Sequence, residues 1–105
     1  MIAQTPKPPY YAVIFTSVRT EIDNGYSEMA DFLEETAKHQ EGYLGIESAK
    51  EQIGITVSYW KDIESIAKWK QHTDHITAQN KGRAEWYSQY KTRICKVERD
   101  YGFNF

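Results

Sequence analysis

The sequence predicts an α+β domain with the element order β-α-β-β-α-β. In this ferredoxin-like plan, two helices cover one face of a four-stranded antiparallel sheet. Three observations point to it. Short segments rich in β-branched and aromatic residues alternate with two segments of helical periodicity. The middle two strands are joined by a link too short to hold a helix. The chain has 105 residues, the length of a single domain with one small core.

Residues 1–9 carry all three prolines, Pro6, Pro8 and Pro9, so this stretch reads as an extended, poorly ordered lead-in to a single domain spanning residues 10–105. Tyr10 to Val18 is the first strand. Tyr11, Val13 and Phe15 share one face, and Ala12, Ile14, Thr16 and Val18 the other. Both faces are apolar, which suits a central strand covered on both sides. Asp23-Asn24-Gly25 is a turn that opens a helix from about Tyr26 to His39. Tyr26, Met29, Ala30, Leu33 and Ala37 form its apolar stripe. Gly42 follows as the stop signal.

Tyr43 to Lys50 and Ile53 to Trp60 form a hairpin about Glu51-Gln52. On the second of these strands Gly54, Thr56 and Ser58 share a face. Such small side chains leave room for a cavity or for the close approach of another element. Asp62 caps the second helix, and Glu64 adds a negative charge in its first turn. Ile66, Trp69, Thr73 and Ile76 form one stripe, and His72, His75, Gln79 and Arg83 the neighbouring one. Gly82 is a point for a kink before Arg83 to Tyr90. Lys91 to Tyr101 is the last strand. Cys95 lies in its middle and reads as a buried thiol.

Composition narrows the function. Formal net charge is −2 with mixed signs along the chain, unlike the positive field that nucleic-acid binding needs. Cys95 is the single cysteine, so no internal disulfide forms, and a reducing cytoplasm is the expected setting. The N-terminal stretch lacks the apolar core of a signal peptide. No apolar run approaches the ~18 residues of a membrane span. Eight Tyr and three Trp in so short a chain suggest a pocket or an interface to line.

The second helix concentrates the candidate site residues: Trp69, His72, His75, Arg83, Trp86 and Tyr87. Aromatic walls with a few polar tips suit a small organic ligand. His72 or His75 is a candidate general base, since imidazole titrates near neutral pH; each also reads as a solvent-facing histidine. The pair is spaced to meet one metal, but a third ligand is missing nearby, so no metal is expected. Trp69 reads as a stacking surface or as core in the Ile66/Ile76 stripe. Arg83, Trp86 and Tyr87 read as an oxyanion-holding group or as a structural tie.

Gly42-Tyr43-Leu44-Gly45 with Glu47-Ser48, then Ser58-Tyr59-Trp60, Trp69-x-x-His72-x-x-His75, Gly82-Arg83 and Trp86-Tyr87, resembles the antibiotic biosynthesis monooxygenase (ABM) domain family. The resemblance spans residues from about 10 to 103. It implies a dimeric α+β barrel, a homodimer whose two sheets meet, with a cavity in each subunit. With both helices on one face of the sheet, the other face is left bare and independently asks for such a cover. The resemblance also implies oxidation of small aromatic or quinol-type molecules by O2 without metal or flavin. In that scheme His72 or His75 is the base, and Trp69, Gln79 and Trp86 shape the pocket. The alternative is a non-catalytic small-molecule binding or stress-related protein of the same fold. Haem degradation, found in another branch, fits less well. The position of its haem-ligand histidine falls on Gln79, and strand one lacks its asparagine.

Overall fold

The structure, a computed structural model, describes residues 1–80 and 83–104. Its elements are β1 (Tyr10–Arg19), α1 (Tyr26–Ala37), β2 (Tyr43–Lys50), β3 (Gly54–Trp60), α2 (Ile63–Asn80), the short α3 (Arg83–Trp86) and β4 (Tyr87–Val97). The four strands form one antiparallel sheet in the order β2-β3-β1-β4. β1 is central, as its two apolar faces require. The ferredoxin-like fold is therefore present.

Local chemistry sets the element boundaries. Gly25 stands at the N-cap of α1 with φ 86°, a left-handed conformation that glycine adopts without a Cβ penalty. Gly42, with φ 87°, turns the chain into β2, and a Cβ there would lie 2.1 Å from Ser65 Oγ. Both the turn and the close approach to α2 therefore require glycine. Asp62 caps α2: its Oδ1 accepts the Ser65 backbone N–H at 2.8 Å.

Across the sheet, residues pair in rungs that alternate between faces. Ser48, Thr56, Phe15 and Thr92 form one rung; Ile46, Ser58, Val13 and Ile94 form another; Lys50, Gly54, Ser17 and Tyr90 form a third. These rungs face α1 and α2. The small face of β3 lies on this side, where the helices leave space above it.

Trp60 anchors the core. It is fully buried, its Nε1 donates to Ser58 Oγ at 2.9 Å, and it stacks on Trp69 with ring centroids 5.9 Å apart. Tyr43 meets its edge at 5.7 Å. Ile66 and Ala37 bring the two helices onto this centre, both buried.

Three details depart from the sequence reading. β4 begins at Tyr87, so the stretch predicted to continue as helix to Tyr90 is already strand. Pairing with β1 explains this, since Arg19 and Ser17 oppose Tyr87 and Tyr90. Cys95 is exposed rather than buried, because it points to the face away from the helices on an edge strand. The proline-rich lead-in, expected to be poorly ordered, is tied to that outer face. The Ala3 N–H donates to Glu47 Oε2 at 2.8 Å, and Thr5 Oγ1 donates to the Tyr10 hydroxyl at 3.0 Å. Tyr10 in turn donates to Asp100 Oδ2 at 2.5 Å, and Tyr59 donates to Glu47 Oε1 at 2.6 Å. Burial, then the Glu47 bond and charge, push the Tyr59 phenol far above its ordinary range. The lead-in covers one end of the outer face. Ile55, 43% exposed, and Cys95 lie on the part it leaves open. Gly82, the suggested kink, lies outside the described residues. Among the described residues, no helix is long and apolar enough to cross a membrane.

Candidate functional site

A cavity of about 740 Å³ lies between the sheet and the two helices. Its floor is built from the three helix-facing rungs of the sheet, completed by Arg19. Serine, threonine and glycine dominate the β3 side of this floor. Larger side chains there would fill the space, so the small face read in the sequence is what keeps the cavity open.

The apolar stripe of α1 forms one wall: Tyr26, Met29, Ala30, Leu33 and Ala37 all line the cavity. From α2 the lining positions are Ile66, Trp69, Lys70, Thr73, Asp74 and Thr77, the i, i+3, i+4, i+7 series of one helix face. Trp86 and Tyr87 close the far end. The volume and the mainly apolar lining with a few polar groups are those of an ordinary small-molecule site.

Two aromatic groups mark its ends. At one end Trp69 rests on Trp60, and the His72 ring lies 5.8 Å from Trp69 on the outer side. At the other, Tyr26 meets Trp86 and Tyr87 edge-on, each at 5.8 Å. Phe15 and Tyr90 extend this second cluster through contacts of 5.4 to 5.7 Å with each other and with Tyr87.

Two of the cationic lining groups, Arg19 and Lys50, sit at the Tyr26 end. The Arg19 guanidinium carbon lies 3.3 Å from the centre of the Tyr26 ring, and the Lys50 ammonium lies 5.3 Å from it. Lys50 Nζ also donates to the Tyr26 hydroxyl at 3.4 Å. Arg19 is fixed in place: its Nε donates to the Trp86 carbonyl and its Nη2 to the Ile22 carbonyl, both at 2.9 Å. Burial pushes the Tyr26 phenol up, but the hydrogen bond from Tyr87 and the charges of Lys50 and Arg19 outweigh it. The phenol is held below the ordinary tyrosine range.

The residues singled out in the sequence divide into three groups. Trp69, Trp86 and Tyr87 line the cavity. Trp86 is also a structural tie: it is buried, its Nε1 donates to the Asn24 carbonyl at 3.2 Å, and its own carbonyl accepts the Thr20 N–H at 2.9 Å. His72 and His75, expected as the base, are exposed and absent from the cavity lining. Their positions fall off the Ile66–Trp69–Thr73–Thr77 face, with His75 nearly opposite it at 3.6 residues per turn. The side chains of Gln79 and Arg83 lie outside the described residues. Sequence reading missed Tyr26, Arg19 and Lys50 as site residues. Tyr26 was legible as the first member of the α1 stripe, but its cationic neighbours come from other strands. Among the described residues, no group of three or more His, Cys, Asp or Glu side chains gathers as a metal site would.

No family model matches the chain. It is 49% identical over 100 residues to the uncharacterized protein YqjZ of Bacillus subtilis strain 168, covering 93% of this chain and 88% of that protein. Among solved structures, it resembles a candidate antibiotic biosynthesis monooxygenase from Nitrosomonas europaea. The TM-score is 0.64 at 17% identity, covering 97% of this chain and 96% of that one. A second such candidate, from Chloroflexus aurantiacus, gives a TM-score of 0.60 at 16% identity, covering 90% and 97%. At these identities the two structures establish the shared fold.

Proposed function

The chain belongs to the same family as YqjZ of Bacillus subtilis and has the ABM-like fold, and from that premise we propose that it oxidises a small aromatic or quinol-type molecule with O2, without a bound cofactor. The observation that carries this reading is the open cavity of about 740 Å³ with aromatic groups at both ends. On this reading a planar ring lies between Trp69 and the Tyr26 cluster, above the small β3 floor, all of which line the cavity. A substrate that supplies its own electrons to O2 must first become electron-rich. Loss of a phenolic or enolic proton does this, so the cavity needs a proton acceptor and a charge that stabilises the resulting anion. Arg19 and Lys50 supply the charge.

The same reading includes a homodimer and a cytoplasmic setting. The sheet face away from the helices carries Ile55 and Cys95 exposed, and a second copy packed there would cover them.

The test is oxygen consumption with a panel of quinols and polycyclic phenols, alongside quenching of tryptophan fluorescence as a measure of binding. Saturable uptake with formation of an oxidised product supports the proposal. A second reading, binding without turnover, is favoured by one observation: both helix-two histidines lie outside the cavity. It predicts quenching with no oxygen uptake. Neither quenching nor uptake with any aromatic would contradict both.

A further inference from the structure

With the histidines outside the cavity, a proton acceptor must be sought among the groups that line it. We propose that the Tyr26 phenol oxygen takes the ionisable proton of a phenolic or enolic ligand in this cavity, with Arg19, Lys50 and Tyr87 as positioning residues. The proposal rests on the reading of the cavity as an aromatic site.

The geometry is built for it. Tyr26 lines the cavity from the first turn of α1, half-buried, and its neighbours come from three separate strands. Arg19 of β1 is clamped by two backbone carbonyls, and its guanidinium carbon lies 3.3 Å from the centre of the phenol ring. Lys50, at the end of β2, reaches the phenol oxygen itself at 3.4 Å. Tyr87, at the start of β4, hydrogen-bonds the same oxygen. Lys50 thus meets the hydroxyl while Arg19 lies over the ring that carries it. A negative charge is favoured there, which is the condition for a base.

The nearby acids do not reverse this. Asp23 sits 3.9 Å from Arg19 and is largely exposed, and Glu85 accepts a hydrogen bond from Asn24 at 3.1 Å. Glu51 lines the cavity beyond Lys50, and Glu34, Lys70 and Asp74 line it from the helices. Asp74 forms an ion pair with Lys70 at 2.6 Å. Burial works against ionisation of Tyr26, and the Tyr87 bond with the two cations overcomes it.

The step is a proton transfer and involves no redox change. The ligand O–H bond breaks and its electron pair stays on the ligand oxygen. Tyr26 first loses its own proton to solvent, and the ligand proton then forms a new O–H bond on its phenolate oxygen. Arg19 and Lys50 then face the ligand anion and favour it in turn.

Ultraviolet difference titration of the tyrosines, with 4-nitrophenol as the ligand probe, tests the proposal. The wild-type protein should show one tyrosine ionising before the rest, a step absent from Tyr26→Phe. Lys50→Met, at an exposed position, should move that step toward the ordinary tyrosine range, and it serves as the second variant should Tyr26→Phe fold poorly. Bound 4-nitrophenol should ionise at lower pH than free 4-nitrophenol in the wild type, and Tyr26→Phe should reduce that displacement. An early step that survives Tyr26→Phe, or that Lys50→Met leaves in place, overturns the assignment. If 4-nitrophenol binds and ionises equally in the wild type and Tyr26→Phe, the Tyr26 role fails while the aromatic site stands. If it does not bind, the cavity reading fails and the proposal with it.

Discussion

Trp60 shows how much one residue can carry in so small a core. It is fully buried, its indole N–H is satisfied by Ser58, and Tyr43 and Trp69 pack against its ring. Replacing it by alanine removes a large apolar volume that its neighbours cannot refill. Trp60→Ala should therefore cost about 3 to 5 kcal/mol in urea denaturation. Gly42 is a second such point, for a backbone reason. Its positive φ and the closeness of Ser65, whose Cβ and Oγ would both overlap an added Cβ, leave no place for one. Gly42→Ala should lower stability by at least about 1 kcal/mol, read from the same denaturation curves. Gly25, with a similar φ but open space around it, should lose less when replaced by alanine.

At the scale of elements, helix α2 begins where a charged cap holds it. The Ser65 hydroxyl and then its backbone N–H bond the Asp62 carboxylate and hold its pKa below the usual carboxylate range. A folded pKa lower than the unfolded one means stability that is present above the unfolded value. That stability is lost as pH falls through the depressed folded value. Thermal melts of the wild type should therefore decline on acidification through the carboxylate range. Asp62→Asn should remove part of that decline while preserving a cap. An unchanged acid slope in Asp62→Asn would show that other carboxylates set it.

Much at this scale was legible in the sequence, and the reasons are specific. The α1 stripe and the Gly54/Thr56/Ser58 face are periodic, and periodicity survives folding because it decides which side chains point together. The start of β4 was not legible. Tyr87-Ser-Gln-Tyr carries no alternation strong enough to mark a strand, and pairing with Ser17 and Arg19 decides the matter. His72 and His75 lie off the lining face of α2, which residue type alone does not reveal. The Tyr26 cluster was missed because Arg19, Lys50 and Tyr87 meet only through the sheet.

At the scale of the whole molecule, the two faces of the sheet have different fates. The helix-side face floors a cavity, and the outer face is covered at one end by the lead-in and at the other by nothing among the described residues. A homodimer through the open part should appear in sedimentation at micromolar concentration. Ile55→Lys should shift it toward monomer, because a charge would replace apolar area at the contact. A wild-type monomer at all concentrations would contradict the proposed pairing.

If aromatic oxidation takes place in the cavity above the small β3 face, filling that space stops it. Thr56 lies on the middle rung of its floor, between Ser48 and Phe15, so Thr56→Trp should fill the space without touching the outer face. Oxygen uptake with a quinol, in wild type and in folded Thr56→Trp, tests the claim most directly. Uptake should be saturable in the wild type and little or none in the variant. Equal rates in both would place the chemistry elsewhere.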